Sequence, residues 1–251
     1  MNFVIGPKNA ILKNEILNFI NNFNYSGKLI EEGKRNKIKL FKSNELEVNV
    51  KSFKEPKFFN KIIYRYFRKS KAKRSFEFAC LLLEKGIATP QPIAYYENFD
   101  LFGLKDSYYV SEHLKYDLTF RDLILYPKYE NRNLILRQFT RFSFSLHEKG
   151  VEFLDHSPGN TLIKKCGDDL YEFYLVDLNR MKFHNSLDFK TRMKNLSHLT
   201  PIKEMVEIIG DEYSKLYGVE YTILFEELWR YTLDFNRKLR RKEKLKELFK
   251  F

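Results

Sequence analysis

The prevailing hydrophobic period of this chain shifts near residue 115, from a mainly two-residue alternation to a mainly helical spacing. In the first part Leu46, Val48 and Val50 alternate with Glu47, Asn49 and Lys51, which puts the apolar residues on one face of a strand and Lys51 on the other. Shorter runs of the same kind occur at Leu29-Ile30, Ile38 to Phe41, Ile93 to Tyr96 and Ser107 to Leu114. In the second part Leu134, Ile135, Phe139, Phe142 and Leu146 follow helical spacing, and so do residues 187–199, 202–217 and 221 to the end. A run of strands followed by a run of helices predicts an α+β chain with two lobes, not a doubly wound sheet.

The divisions follow from that change. Residues 1–24 are predicted to form an amphipathic helix laid on the first lobe, because Ile11, Leu12, Ile16, Ile20 and Phe23 share a helical face. Residues 25–114 make a β-rich lobe with one strong helix, Ser70 to Lys85, stopped by Gly86. Residues 115–251 make a mainly helical lobe, interrupted by a strand pair at Thr161 to Lys164 and Tyr171 to Leu178.

The segment richest in chemistry lies between the long helix ending at Gly150 and that strand pair. It places Asp155 and Asn160 five positions apart on a loop containing Pro158-Gly159, and a further acid, Asp177, follows the second strand. Taken singly, each has an ordinary reading. Asp, Asn, Pro and Gly all favour turns, Asp177 can cap a strand end, and Lys51 can be one more exposed lysine among 45 basic residues. Glu77 can pair locally with Lys73 or Arg74. Taken together, the Asp-x-x-x-x-Asn spacing, the later Asp and an upstream strand lysine match the order of a kinase catalytic loop, metal-binding acid and phosphate-contacting lysine.

On these residues the chain resembles the lipopolysaccharide core kinases, the Kdo/WaaP group of the protein-kinase-like superfamily. The resemblance rests on Val48-Asn49-Val50-Lys51, on Ser70 to Glu77 with the following Gly86 to Pro92, on Asp155-His156-Ser157-Pro158-Gly159-Asn160, and on Val176 to Arg180. It implies a bilobal protein-kinase-like fold using ATP and Mg²⁺. Asp155 would accept or orient the proton of the attacking hydroxyl, and Asn160 and Asp177 would hold the metal. Lys51 would contact the α- and β-phosphates, with Glu77 pairing its ammonium. Backbone groups of Glu112 and Leu114 would meet adenine.

Two departures from the superfamily pattern stand out. Phe153 occupies the place two residues before the catalytic Asp where a histidine is usual, and Gly33 stands alone in the segment 31–36 where a glycine-rich phosphate loop is expected. They motivate the alternative of a nucleotide-binding pseudokinase. A protein kinase or a kinase of other small molecules is the other alternative, since phosphoryl-transfer geometry is shared. The remaining histidines, His113, His147, His184 and His198, show no metal-ligand spacing and are read with His156 as surface or packing residues, His156 being the one near substrate.

Composition bears on partners. A formal net charge of +12 favours anionic ones, whether phosphorylated glycan, anionic membrane surface or nucleic acid, and no nucleic-acid-binding motif or zinc spacing supports the last. The basic stretch Arg237 to Phe251 reads either as an interfacial helix or as one packing Leu239, Leu245 and Leu248 on the body. Cys80 and Cys166 lack ligand spacing, no secretion signal opens the chain, and no run approaches the roughly eighteen apolar residues of a membrane span. The expected place is the bacterial cytoplasm, peripheral at the inner membrane, where a lipid-linked glycan acceptor is displayed.

Overall fold

The computed structural model describes residues 1–33, 36–43 and 46–248. They divide into two compact units, one of Met1–Lys115 with Asp177–Asn179, the other of Tyr116–Val176 with the chain from Arg180 onward.

The first unit is built on an antiparallel sheet of β1 (Asn2–Ile5), β2 (Lys28–Glu32), β3 (Asn36–Lys42), β4 (Glu47–Phe53), β5 (Pro92–Asp100) and β6 (Gly103–Glu112), in the order β1-β5-β6-β4-β3-β2. The alternation in β4 is realised. Val48 and Val50 are fully buried with Ile16 and Ile20 of α1 (Lys13–Asn21) and with Phe41, Ile93 and Val110. On the other face Phe53 packs with Tyr95 and with Ala72 of α3 (Lys71–Glu84), joined by Phe76 and Tyr109. Helix α3 begins where the sequence placed it: the Ser70 side chain accepts the Lys73 N–H, and Gly86 ends the element at φ 65°.

The opening segment differs from the single helix read from the sequence. Asn2–Ile5 is an edge strand paired with β5, Pro7–Leu12 is a 3-10 turn, and only then does α1 begin. A four-residue strand is too short to show its period, and Pro7 suits the start of a helical turn. A second helix, α2 (Phe58–Tyr66), was not read from the sequence; none of its residues is buried. It lies beside β6, where Gly103 at φ 135° lets the Lys61 backbone approach.

The second unit contains α4 (Phe120–Leu125), α5 (Arg132–Glu148), α6 (Phe189–Leu196), α7 (Lys203–Tyr217) and α8 (Tyr221–Leu248). Its strands are β7 (Leu118–Thr119), β9 (Thr161–Lys165) and β10 (Tyr171–Leu175) in one sheet, and β8 (Val151–Phe153) paired with β11 (Met181–Phe183). Ile135, Leu136 and Phe139 of α5 pack with Tyr213 of α7 and with Leu224 and Leu228 of α8. The β8–β11 pair was not read from the sequence, since three residues per strand cannot display alternation. Beyond Asn236 the residues of α8 to 247 are exposed on all sides, with Leu239 at 40% and Leu245 at 54%. The packed reading of that stretch therefore fails for these two leucines; the Leu248 side chain and residues 249–251 lie outside the described residues.

What holds the loop after β8 is a set of buried polar groups. The Asn195 amide of α6 donates to the Phe153 carbonyl at 2.7 Å, and its oxygen meets His156 Nδ1 at 3.2 Å and His147 Nε2 at 3.0 Å. One oxygen facing two ring nitrogens requires both to carry hydrogen, so His147 Nδ1 accepts from the Tyr213 hydroxyl, 2.8 Å away. Both imidazoles are fully buried, and burial pushes His147 down to about 4 and His156 to about 3. His156 Nε2 has no hydrogen-bond partner among the described residues.

These two imidazoles are neutral in the folded protein, whereas in the unfolded chain they take up protons below about pH 6.5. The unfolded state thus holds more protons between that pH and the folded values. Stability falls as pH drops through this window, by up to about 1.4 kcal/mol per pH unit for each imidazole. Urea denaturation at pH 7 and pH 5 measures the slope, to which His198, also lowered by burial, contributes, and His156→Phe, which packs among Phe139 and Phe153, should remove a clear part of it but not all. A second prediction concerns Gly150, which ends α5 at φ 73° with the His184 carbonyl where a Cβ would sit. Gly150→Ala should cost about 1–3 kcal/mol, read as a lower urea midpoint.

Candidate active site

Lys51 sits in the middle of β4, between Ile38 of β3 and Tyr109 of β6, so the sheet fixes its backbone from both sides. Its side chain is 11% exposed and runs past Phe53, whose ring centroid lies 5.6 Å from Nζ. Nζ donates to Asp177 Oδ1 at 2.8 Å. The same oxygen accepts the Asn179 amide at 2.6 Å, and Arg74 of α3 donates to the Asn179 carbonyl at 2.8 Å. Lysine from the sheet and arginine from the helix thereby fasten the short stretch Asp177–Asn179 to the first unit. Asp177 adopts φ 57°, a left-handed conformation that only Asn131 shares among the described non-glycine residues. With Oδ1 taken twice, Asp177 Oδ2 has no hydrogen-bonding partner among the described residues and remains an open anionic ligand.

Asp155 and Asn160 belong to the second unit, on the loop after β8. Leu154 N–H donates to the Arg180 carbonyl and Val176 N–H to the Asn160 carbonyl, each at 3.0 Å, so the loop is tied to both sides of the 177–179 stretch along the chain. Asn160 Nδ2 donates to the Asp155 carbonyl at 2.8 Å, which fixes the amide and leaves its Oδ1 as the atom free for a cation. The Asp155 carboxylate is 38% exposed, with the Arg180 guanidinium 3.8 Å away. His198 is close by. Burial is the main cause that lowers its pKa, against the opposing pull of Asp155 and Glu152.

Phe153 is fully buried, its ring centroid 5.6 Å from that of His156. An aromatic thus fills the position where the pattern that the sequence resembles has histidine, and Asn195 holds the backbone there.

Glu77 lies elsewhere in the hydrogen-bond pattern. Its two oxygens accept from Lys69 Nζ at 3.0 and 2.8 Å, so the structure pairs Lys51 with Asp177, not with Glu77. This is a local pairing of the kind open to an exposed helix carboxylate, supplied by Lys69 just before the Ser70 cap. At the end of β6, Glu112 N–H donates to the Gln91 carbonyl and His113 N–H to the Glu47 carbonyl. Leu114 follows the last of these bonds, and its backbone has no partner among the described residues. The glycine loop is described only to its edges: Gly33 N–H donates to the Asn36 carbonyl, and Lys34 and Arg35 lie outside the described residues.

Asn195, Arg74 and Lys69 act in ways that sequence reading did not supply: the first two reach backbone carbonyls distant in the chain, and Lys69 takes the Glu77 carboxylate from outside the helix. Among the described residues no three His, Cys, Asp or Glu side chains cluster as a metal site. Asp177 Oδ2 in the first unit and Asn160 Oδ1 in the second are each an oxygen of the hard kind that suits Mg²⁺.

Comparison with known proteins bears on this arrangement. A solved structure described as WaaP in complex with acyl carrier protein matches with a TM-score of 0.64 over 96% of this chain and 99% of that one, at 16% identity. This likeness establishes the fold as the mixed, WaaP-like one. The mitochondrial inner membrane magnesium transporter MIT1 of Plasmodium berghei (strain Anka) is 30% identical over 214 residues, 81% of this chain but 43% of that protein. The chain therefore spans less than half of that relative, and no helix among the described residues is long and apolar enough to cross a membrane. The lipopolysaccharide kinase (Kdo/WaaP) family profile matches residues 23–217, which carry Lys51, Glu77, Asp155, Asn160 and Asp177. The chain belongs to the lipopolysaccharide kinase (Kdo/WaaP) family.

Proposed function

We propose that this protein transfers the γ-phosphoryl group of ATP to a hydroxyl of a lipopolysaccharide inner-core sugar, Kdo or heptose. The observation that carries the reading is the Lys51–Asp177 pair: a nearly buried ammonium on a strand and a left-handed aspartate that keeps one oxygen open. Phosphoryl transfer needs positioning and charge neutralisation more than covalent chemistry, and this pair supplies both signs at one place.

In this reading Lys51 binds the α- and β-phosphates, its ammonium being released from Asp177 as they arrive. Asp177 and Asn160 bind Mg²⁺ through the oxygens their hydrogen bonds leave open. Bound there, Mg²⁺ neutralises charge on the phosphates. Asp155 orients the acceptor hydroxyl and takes its proton, with the Arg180 guanidinium 3.8 Å from its carboxylate. Glu77 remains a candidate partner for Lys51, reached by exchange with Lys69. Leu114, with its unpaired backbone, and Glu112 bind adenine. The acceptor is lipid-linked, which places the enzyme at the cytoplasmic face of a bacterial inner membrane.

The pseudokinase reading is weaker on one specific ground. Phe153 is packed and its carbonyl is held by Asn195, so loss of the usual histidine leaves the Asp155 loop anchored.

Purified protein incubated with ATP, Mg²⁺ and lipid A precursors with and without Kdo tests the proposal, with phosphate addition followed by mass spectrometry. One phosphate added to the Kdo-bearing acceptor, and none by Asp177→Ala, is the expected result. Mg²⁺-dependent ATP binding without product would point to another acceptor or to a pseudokinase, and absence of both would overturn the kinase reading. Lys51→Met should lower kcat by about 10²–10³, the scale for losing one preorganised donor to a transition-state charge.

A further inference from the structure

The most exposed apolar surface of the first unit is the one the active site does not use. Along α2 and just past it, Phe59, Ile63, Tyr66 and Phe67 recur at helical spacing on one stripe, exposed by 79%, 42%, 68% and 84%. The stripe is continuous with the turn between β5 and β6, whose Leu101 is 91% exposed. Phe58 and Phe102 pack at 5.7 Å between centroids, and Arg65 donates to the Asp100 and Leu101 carbonyls at 3.0 and 3.1 Å. The opposite side of the helix is anchored: Lys61 pairs with Asp100 at 3.0 Å and with Glu55, and its backbone sits over Gly103. Helix and turn therefore form one built surface, held by polar contacts beneath and apolar above.

Charge identifies what this surface meets. Residues 54–69 contain six basic side chains and one acidic. Glu55 is occupied by Lys61, while Lys54, Lys57 and Arg68 have no acidic partner among the described residues. Side chains exposed by more than three quarters project outward, and a folded protein would need a matching cavity for each. A fluid, anionic interface accepts them without one, the aromatics entering the acyl boundary and the cations staying among the headgroups.

We propose that α2 with the β5–β6 turn is a docking element for an anionic lipid bilayer. The proposal rests on the kinase reading only for why a bilayer should be near, because that is where a lipid-linked acceptor is displayed. It deepens that reading by assigning membrane contact to α2 in place of the basic end of α8.

Co-sedimentation of the full chain with vesicles tests it, read without ATP or acceptor so that it can fail while the kinase assay succeeds. The vesicles are phosphatidylcholine alone, and phosphatidylcholine with phosphatidylglycerol. Wild type and Asp177→Ala should bind the anionic vesicles alike and leave the neutral ones largely unbound. Phe59→Ser with Phe67→Ser should weaken binding about tenfold or more with an unchanged melting curve, and Lys57→Glu with Arg68→Glu should do the same. Lys238→Glu with Lys242→Glu in α8 should change it by less than about twofold. Failure of wild type to bind, binding by the Phe59/Phe67 variant equal to wild type, or loss confined to the α8 variant would each overturn the proposal.

Discussion

A single contact, the 2.8 Å hydrogen bond from Lys51 Nζ to Asp177 Oδ1, ties the distant ends of the candidate site to one sheet. Both groups are partly withdrawn from water, 11% and 28% exposed, so removing either strands a charge in a poorly solvated place. The rest of the first unit can be read outward from that requirement. Strand β4 fixes the lysine through pairing on both sides, α3 supplies Arg74 to hold the carbonyl two residues after the aspartate, and Asn179 saturates the shared oxygen. What remains open is the other aspartate oxygen, an anionic ligand held by a strained backbone.

The loop of the second unit solves a different problem. It must hold Asp155 with Phe153, not histidine, two residues earlier. A polar chain running from Tyr213 through His147 to Asn195 reaches both the Phe153 carbonyl and His156. Every donor and acceptor in that chain is used once the two imidazoles are neutral, save His156 Nε2. The cost is a window of acid sensitivity, because a proton on either ring has no place in the pattern.

Much of this was legible from residue order. Strand β4, helix α3 with its Gly86 stop, the long α5 and the motif residues follow from period and turn chemistry, and the family follows from the motifs in combination. What was not legible is where a short element leaves no period, as in β1, β8 and β11. Pairings across the chain escaped for another reason. Periodicity puts Lys51 and Glu77 on the correct elements, but the pairings found, Lys51 with Asp177 and Lys69 with Glu77, follow no spacing rule.

The central claim is that Lys51 and Asp177 mark a nucleotide and metal site. A crystal structure with a non-hydrolysable ATP analogue and Mn²⁺ in place of Mg²⁺ tests it most directly, since anomalous scattering locates the ion. The account expects an anomalous peak at Asp177 Oδ2, with Lys51 Nζ turned from Asp177 to the phosphates. Nucleotide and ion bound away from Asp177, with the 2.8 Å contact to Lys51 intact, would contradict it.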